Sequence, residues 1–282
     1  MRTNILSTFI TTSFQKKTAP HNPLSLRIWC KGVNAMPEYI RVKDLSKVYH
    51  KHEAVSHISF QVKKGQIFAF LGPNGAGKST TINILSTLLF KSGGSIQVGG
   101  LDLDRQRQAV KRKIGIVFQD DVLDEGLSVY QNLLYRGGLY IPKENELKKR
   151  ISEISSLLML DPILPQKYRE CSGGQKRLAQ IARALLPAPG LLILDEPTTG
   201  LDPVTRQKVW EALLVLRERL QMTIFFTTHY MEEAAFSDAI CVLDHGRILL
   251  CDTLDRLEAT QAGHGKKLDL NALYLRLLGE TR

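Results

Sequence analysis

The sequence contains no apolar run near the ~20 residues that a membrane-spanning helix requires. The wholly aliphatic run Leu191–Leu194 has the length of a buried strand instead. Any work at a membrane then goes through a partner or through surface attraction. Cysteine is scarce: Cys30, Cys171, Cys241 and Cys251 form no C-x-x-C pair and no zinc spacing. That excludes a disulfide scaffold and reads as reduced, cytosolic thiols. Repeats and low-complexity tracts are missing too. Acidic residues are absent from positions 1–35, which carry Arg2, Lys16, Lys17, Arg27 and Lys31.

What is present is ordinary globular composition. The 282 residues are 43% hydrophobic and 23% charged. A chain of this length buries a full core without metals or cross-links. The net charge is +10, and five of those ten charges belong to the first 35 residues. The rest is mildly basic, which suits an anionic lipid or a nucleotide and gives no reason to expect nucleic acid. Residues 1–35 are rich in Ser, Thr and Asn and read as a basic, disordered extension. A wrong start codon or an organellar targeting segment has the same composition. Patterned sequence begins at Met36, so the extension is expected to be dispensable.

From Met36 strands and helices alternate. Tyr39–Val42, Ile58–Val62, Gln66–Leu71, Ile114–Phe118, Leu191–Leu194, Thr223–Phe226 and Ala239–Leu243 read as strands. Ile82, Leu85 and Leu89 recur at helical spacing, as do Leu147, Ile151, Ile154 and Leu158. Asp202-Pro203 is a cap followed by proline at the first helical position. Such alternation predicts an α/β fold with a mainly parallel central sheet. The helical block 128–185 lies between two strands and reads as a subdomain inserted into that sheet.

Gly72-Pro-Asn-Gly-Ala-Gly-Lys-Ser-Thr80 follows a strand and opens a helix. This is the phosphate-binding pattern G-x-x-x-x-G-K-[ST]. Gly72, Asn74, Gly75, Ala76 and Gly77 offer backbone N–H groups, and the helix aims its N-terminus at the anion. Lys78 neutralises β- and γ-phosphate charge, Ser79 can ligate Mg²⁺, and Thr80 completes the motif. Leu191-Leu-Ile-Leu-Asp-Glu-Pro197 brings Asp195 to the carboxyl end of a buried strand. Asp195 can hold Mg²⁺ through water, and Glu196 stands one residue on, able to polarise an attacking water.

With these motifs and five more in matching order, the chain resembles the nucleotide-binding subunit of ATP-binding-cassette (ABC) transporters over about residues 38–255. Cys171-Ser-Gly-Gly-Gln175 resembles the signature motif, with Cys where the family usually has Leu. The resemblance implies that Ser172, Gly173, Gly174 and Gln175 face phosphate. It implies that Gln119 touches metal or water, that His229 contacts the γ-phosphate, and that Asp202 in Gly200-Leu-Asp202 lies on a dimer interface. Tyr49, beside Val48, corresponds to the aromatic that stacks on adenine. The fold implied is a P-loop NTPase core with a mainly parallel central sheet, antiparallel N-terminal strands and an inserted helical subdomain. The expected organisation is an extension 1–35, a nucleotide-binding domain 36–255 with its helical subdomain at about 125–185, and a helical tail 256–282.

The chain holds one phosphate loop and one signature, whereas the family arrangement sandwiches ATP between the loop of one subunit and the signature of another. A second nucleotide-binding subunit is therefore expected, most simply another copy. Only 53 residues follow His229, too few for the regulatory β-domain of many importer ATPases. The tail Leu268–Gly279 and the stretch Gln119–Val129 resemble exporter ATPases of the daunorubicin-resistance, nodulation and polysaccharide-export kind. These features imply a cytoplasmic ATPase, peripheral on the inner face of the cell membrane through a separate transmembrane permease. The alternative is a soluble ABC ATPase without a membrane partner. Cys171 follows Gln119 by only 52 positions, which leaves no room for the long insertion of a coiled-coil DNA-repair ATPase. An iron–sulfur-assembly ATPase fits the size.

Overall fold

The computed structural model describes residues 37–262 and 269–279. The extension 1–35 lies outside the described residues. Two sheets organise the rest. β1 (Glu38–Tyr49), β2 (His52–Lys63), β4 (Gly93–Val98) and β5 (Leu101–Asp102) form an antiparallel sheet in the order β2-β1-β4-β5. β3 (Ile67–Leu71), β6 (Ile114–Val117), β7 (Leu191–Asp195), β8 (Thr223–Thr228), β9 (Ala239–Asp244) and β10 (Arg247–Thr253) form the second, ordered β10-β9-β3-β8-β7-β6. Its pairings are parallel except for the β9–β10 hairpin.

β3 shows why the core divides in two. All five of its residues are buried, as a central parallel strand requires. Ile67, Ala69 and Leu71 face one core, while Phe68 and Phe70 face the other. The second core closes against the antiparallel sheet through Phe60, Phe68, Phe70 and Phe225, with ring centroids 5.3–6.0 Å apart. α1 (Lys78–Leu85), which follows β3, and α2 (Arg107–Lys113), which precedes β6, bury Ile82, Leu85 and Val110 in that second core, and the first core receives the later helices. α3 (Val129–Gly138), α4 (Glu144–Leu157) and α5 (Gly173–Leu185) intervene between β6 and β7, which pair directly as neighbours. The helical block is thus an insertion beside an unbroken sheet. Leu147, Ile151, Ile154 and Leu158 are all buried, so the helical spacing marks the inner face of α4.

α6 (Pro203–Leu220), α7 (Met231–Ala234), α8 (Leu254–Ala262) and α9 (Leu270–Gly279) complete the chain. α9 packs on α7, and its Leu270 and Tyr274 lie against the first core. No helix among the described residues is long and apolar enough to cross a membrane.

Register decides where chemistry collects. Leu71 pairs with Thr228, Asp195 with Thr227, and Val117 with Leu194. The carboxyl ends of β3, β6, β7 and β8 therefore open on one edge, where parallel sheets bind ligands. Three strands, β4, β5 and β10, go beyond the sequence reading. β4 opens with two glycines and alternates only over Ser95–Val98, too short a stretch to mark a strand by itself, and β10 is an edge strand with no fully buried residue and no clear period of two.

Candidate functional site

The phosphate loop leaves β3 at Gly72 and enters α1 at Lys78. Gly77 caps that helix with φ of 101°, in the left-handed region, and a Cβ there would stand 2.6 Å from the Ala54 carbonyl oxygen. A side chain is excluded on both counts. The turn between β9 and β10 braces the loop from outside: Gly246 N–H donates to the Ala76 carbonyl at 3.1 Å, and Ser56 N–H donates to the Gly246 carbonyl at 2.8 Å. The Lys78 ammonium donates to the Gly72 carbonyl at 2.6 Å and to the Pro73 carbonyl at 3.1 Å. It is 5% exposed. Burial lowers its pKa, and the nearby Glu196 and Asp195 carboxylates oppose that shift. Asn74 and Ser79 are exposed on the same loop.

β7 ends at Asp195, and its partner strand β8 holds the turn beyond it. The Thr227 hydroxyl donates to Asp195 Oδ1 at 2.6 Å and accepts the Glu196 N–H at 3.0 Å. One threonine thus holds both acids. Burial raises the Asp195 pKa, against the pull of that hydrogen bond. Glu196 has φ of 45°, a left-handed conformation for a residue with a Cβ. Such a conformation costs about 1–3 kcal/mol and persists where the surroundings impose it. Here the Thr227 bond and the Thr199 hydroxyl, 3.1 Å from Glu196 Oε2, impose it. Glu196 Oε1 is then 4.0 Å from Lys78 Nζ and 3.3 Å from His229 Nδ1. Lys78, Asp195, Glu196 and His229, spread over more than 150 positions of sequence, converge on one edge of the sheet.

Gln119 follows β6 with its side chain exposed. Its backbone is held by α5. Arg177 donates to the Phe118 carbonyl at 2.7 Å and the Gln119 carbonyl at 3.2 Å, and Arg183 donates to the Ile116 carbonyl at 2.6 Å. Asp121 takes the Tyr168 hydroxyl at 2.9 Å, the Gln180 amide, and Lys176 at 3.4 Å. Burial lowers the Arg177 pKa and raises that of Tyr168. The segment carrying Gln119 and the helix carrying the signature therefore form one hydrogen-bonded unit.

Ser172 and Gln175 form a reciprocal capping box at the start of α5: the Ser172 hydroxyl accepts from Gln175 N–H, and Gln175 Oε1 accepts from Ser172 N–H. Cys171, the residue unlike the family pattern, is 7% exposed and packs in the first core, so a small apolar group satisfies the position. Gly173 and Gly174 leave the helix end open. No hydrogen bond or ion pair joins Ser172–Gln175 to Gly72–Thr80 among the described residues. Asp202 caps α6, accepting from Val204 N–H at 3.1 Å and Thr205 N–H at 3.0 Å. The Thr205 hydroxyl and these amides hold its carboxyl below the usual range. Tyr49 is 41% exposed at the β1–β2 turn, with Lys47 Nζ 4.9 Å from its ring centroid. Ala54, which approaches Gly77, lies on the strand leaving that turn.

Thr227, Arg177, Asp121 and Thr199 were not legible in the sequence. Each acts through strand register or packing, and neither shows in local spacing.

Residues 55–199 match the family model described as ABC transporter. The linearmycin resistance ATP-binding protein LnrL of Bacillus subtilis is 40% identical over 215 residues, 76% of this chain and 69% of that one. The Nod factor export ATP-binding protein I of Cupriavidus metallidurans is 36% identical over 213 residues, 75% and 70% of the two chains. A dimeric ATP-binding cassette solved in a post-hydrolysis state with ADP and Pi superposes with a TM-score of 0.68. It is 28% identical and covers 76% of this chain and 98% of its own. The phosphate loop, the acid pair and the signature helix all fall within the matched region, and the chain belongs to the ABC transporter family.

Proposed function

We propose that Glu196 is the base of an ATP hydrolysis site completed by a second copy of the chain. The protein is the ATP-hydrolysing subunit of an ABC exporter. Lys78 and the amides of Gly72–Thr80 take the β- and γ-phosphates. Glu196 orients or deprotonates the attacking water, with His229 beside it to contact the γ-phosphate. Tyr49 stacks on adenine. Ser172, Gly173, Gly174 and Gln175 of the second copy close over the triphosphate, with Asp202 along the interface.

The donor chemistry fits Mg²⁺. Ser79, Gln119 and Asp195 offer hydroxyl, amide and carboxylate oxygen at one edge of the sheet. No cluster of three or more His, Cys, Asp or Glu able to hold a metal occurs among the described residues. Mg²⁺ characteristically binds through one or two carboxylates together with substrate phosphates. Bound there, it would neutralise phosphate charge. Hydrolysis removes the group that bridges two copies, so each cycle closes and opens the pair. A separate transmembrane permease follows that motion, and the ATPase works from the inner face of the cell membrane.

The observation that carries this reading is Glu196 Oε1 lying within 4.0 Å of Lys78 and 3.3 Å of His229. Glu196→Gln keeps the shape and removes the basicity. Steady-state phosphate release should fall about 10²–10⁴-fold, the usual worth of a positioned base. Near-normal turnover would move the base elsewhere, with His229 next in line.

A further inference from the structure

Glu233 is a buried acid for which the hydrolysis scheme has no use. It lies on α7, four positions after His229, and its side chain is 2% exposed. A charge so placed is retained only with partners. Glu233 finds them on two other segments. The Thr198 hydroxyl donates to its Oε1, and Thr198 lies between Glu196 and the Gly200–Asp202 turn. Arg206 Nε, on the first turns of the helix that Asp202 caps, stands 3.9 Å from the same oxygen.

Arg206 also reaches back to the histidine loop. Its guanidinium lies over the Tyr230 ring at 4.6 Å, and the Tyr230 and His229 rings are 4.0 Å apart. Glu232 makes a second, exposed contact with Arg206 at 3.7 Å. The loop itself is short and locally tied: Tyr230 N–H donates to the Thr228 hydroxyl at 3.0 Å, and Glu233 N–H donates to the Tyr230 carbonyl at 3.2 Å. A rigid four-residue link therefore joins the Glu233 carboxylate to the imidazole. Through Thr198 the same carboxylate grips the loop that carries Glu196.

We propose that Glu233 is the positioning residue for hydrolysis, fixing the His229 loop against the Glu196 loop so that imidazole and carboxylate keep their 3.3 Å register. The inference rests on the reading of Glu196 and His229 as the hydrolytic pair. Glu233 is remote from the phosphate loop in the contacts it makes, so nucleotide binding should be spared when it is changed. Its effect on turnover should pass through His229.

The test uses the full chain and four proteins: wild type, Glu233→Gln, His229→Ala and the double variant. Glu233→Gln keeps the shape but replaces the charged acceptor by a neutral amide, which weakens both the Thr198 hydrogen bond and the hold on Arg206. It should fold. Expected is a fall of at least fivefold in kcat, with the KM for ATP within threefold of wild type. In the His229→Ala background the same change should alter kcat by less than twofold, because the residue through which Glu233 acts is already gone. Thr198→Val should reproduce the kcat loss. Wild-type kcat in Glu233→Gln, losses that multiply in the double variant, or a KM that rises in step with the fall in kcat would each overturn the proposal. Should wild type itself fail to release phosphate, or His229→Ala turn over normally, the reading of the hydrolytic pair fails first and takes this inference with it.

Discussion

The Lys78 ammonium is held by two carbonyls of its own loop and faces two carboxylates, which makes it the fixed positive charge of the site. A hydrogen bond to a charged group contributes about 1.5–3 kcal/mol, and ~1.4 kcal/mol is tenfold in affinity. Lys78→Ala should therefore weaken ATP binding at least tenfold in a fluorescent-nucleotide titration while thermal unfolding stays cooperative. Unchanged affinity would reject the assignment of this loop. Lys78, Ser79, Asp195 and Glu196 were legible in the sequence because each belongs to a contiguous motif or ends a buried strand, and His229, just past a strand, was singled out by the resemblance. Thr227 was not. It looks like any β-branched residue of a strand, and only its pairing with Asp195 reveals that it holds both acids. Thr198 and Glu233 were hidden for the same reason, since their meeting is a tertiary contact across 35 positions.

α5 shows how tightly an element can be specified from its first turn. The Ser172–Gln175 capping box satisfies two N–H groups at that end, those of Ser172 and Gln175. A Cβ at Gly174 would stand 2.3 Å from Thr205 Cγ2, so the signature turn and the start of α6 touch where only hydrogen fits. Gly174→Ala should cost about 1–3 kcal/mol from overpacking, less up to about 1 kcal/mol regained in helix propensity. Thr205→Ser removes the clashing methyl and keeps the hydroxyl that bonds Asp202. Urea unfolding should show the loss in Gly174→Ala and its recovery in the double variant. A loss that persists with Thr205→Ser would mean that the contact is not the cause. At this scale α4 was readable because its apolar residues keep a helical period, and β3 because it is an unbroken apolar run ended by the glycine-rich loop, whereas the short helices α2 and α7 gave no such signal. β10 was not readable, since an exposed edge strand buries no residue fully and so lacks a marked face.

Over the whole molecule, the parallel sheet gathers the motifs in an order that the chain alone does not display. β3, β8 and β7 lie side by side, so residues 72–80, 195–196 and 229 open together. The signature helix stays apart from the phosphate loop of its own chain and is bound to the Gln119 segment instead. The proposed sandwich completes such a split site with a second copy, and the order of strands was the part that motif spacing alone left open. Glu196→Gln should bind ATP without releasing the phosphate that joins two copies, so the closed pair should accumulate. Ser172→Arg, added to it, puts a bulky side chain where the partner's γ-phosphate must enter. Size-exclusion chromatography of Glu196→Gln in ATP and in ADP tests this most directly. The sandwich predicts a dimer in ATP, a monomer in ADP, and a monomer in both once Ser172→Arg is present. A Glu196→Gln protein that elutes as a monomer in ATP, or as a dimer equally in ADP, would contradict it.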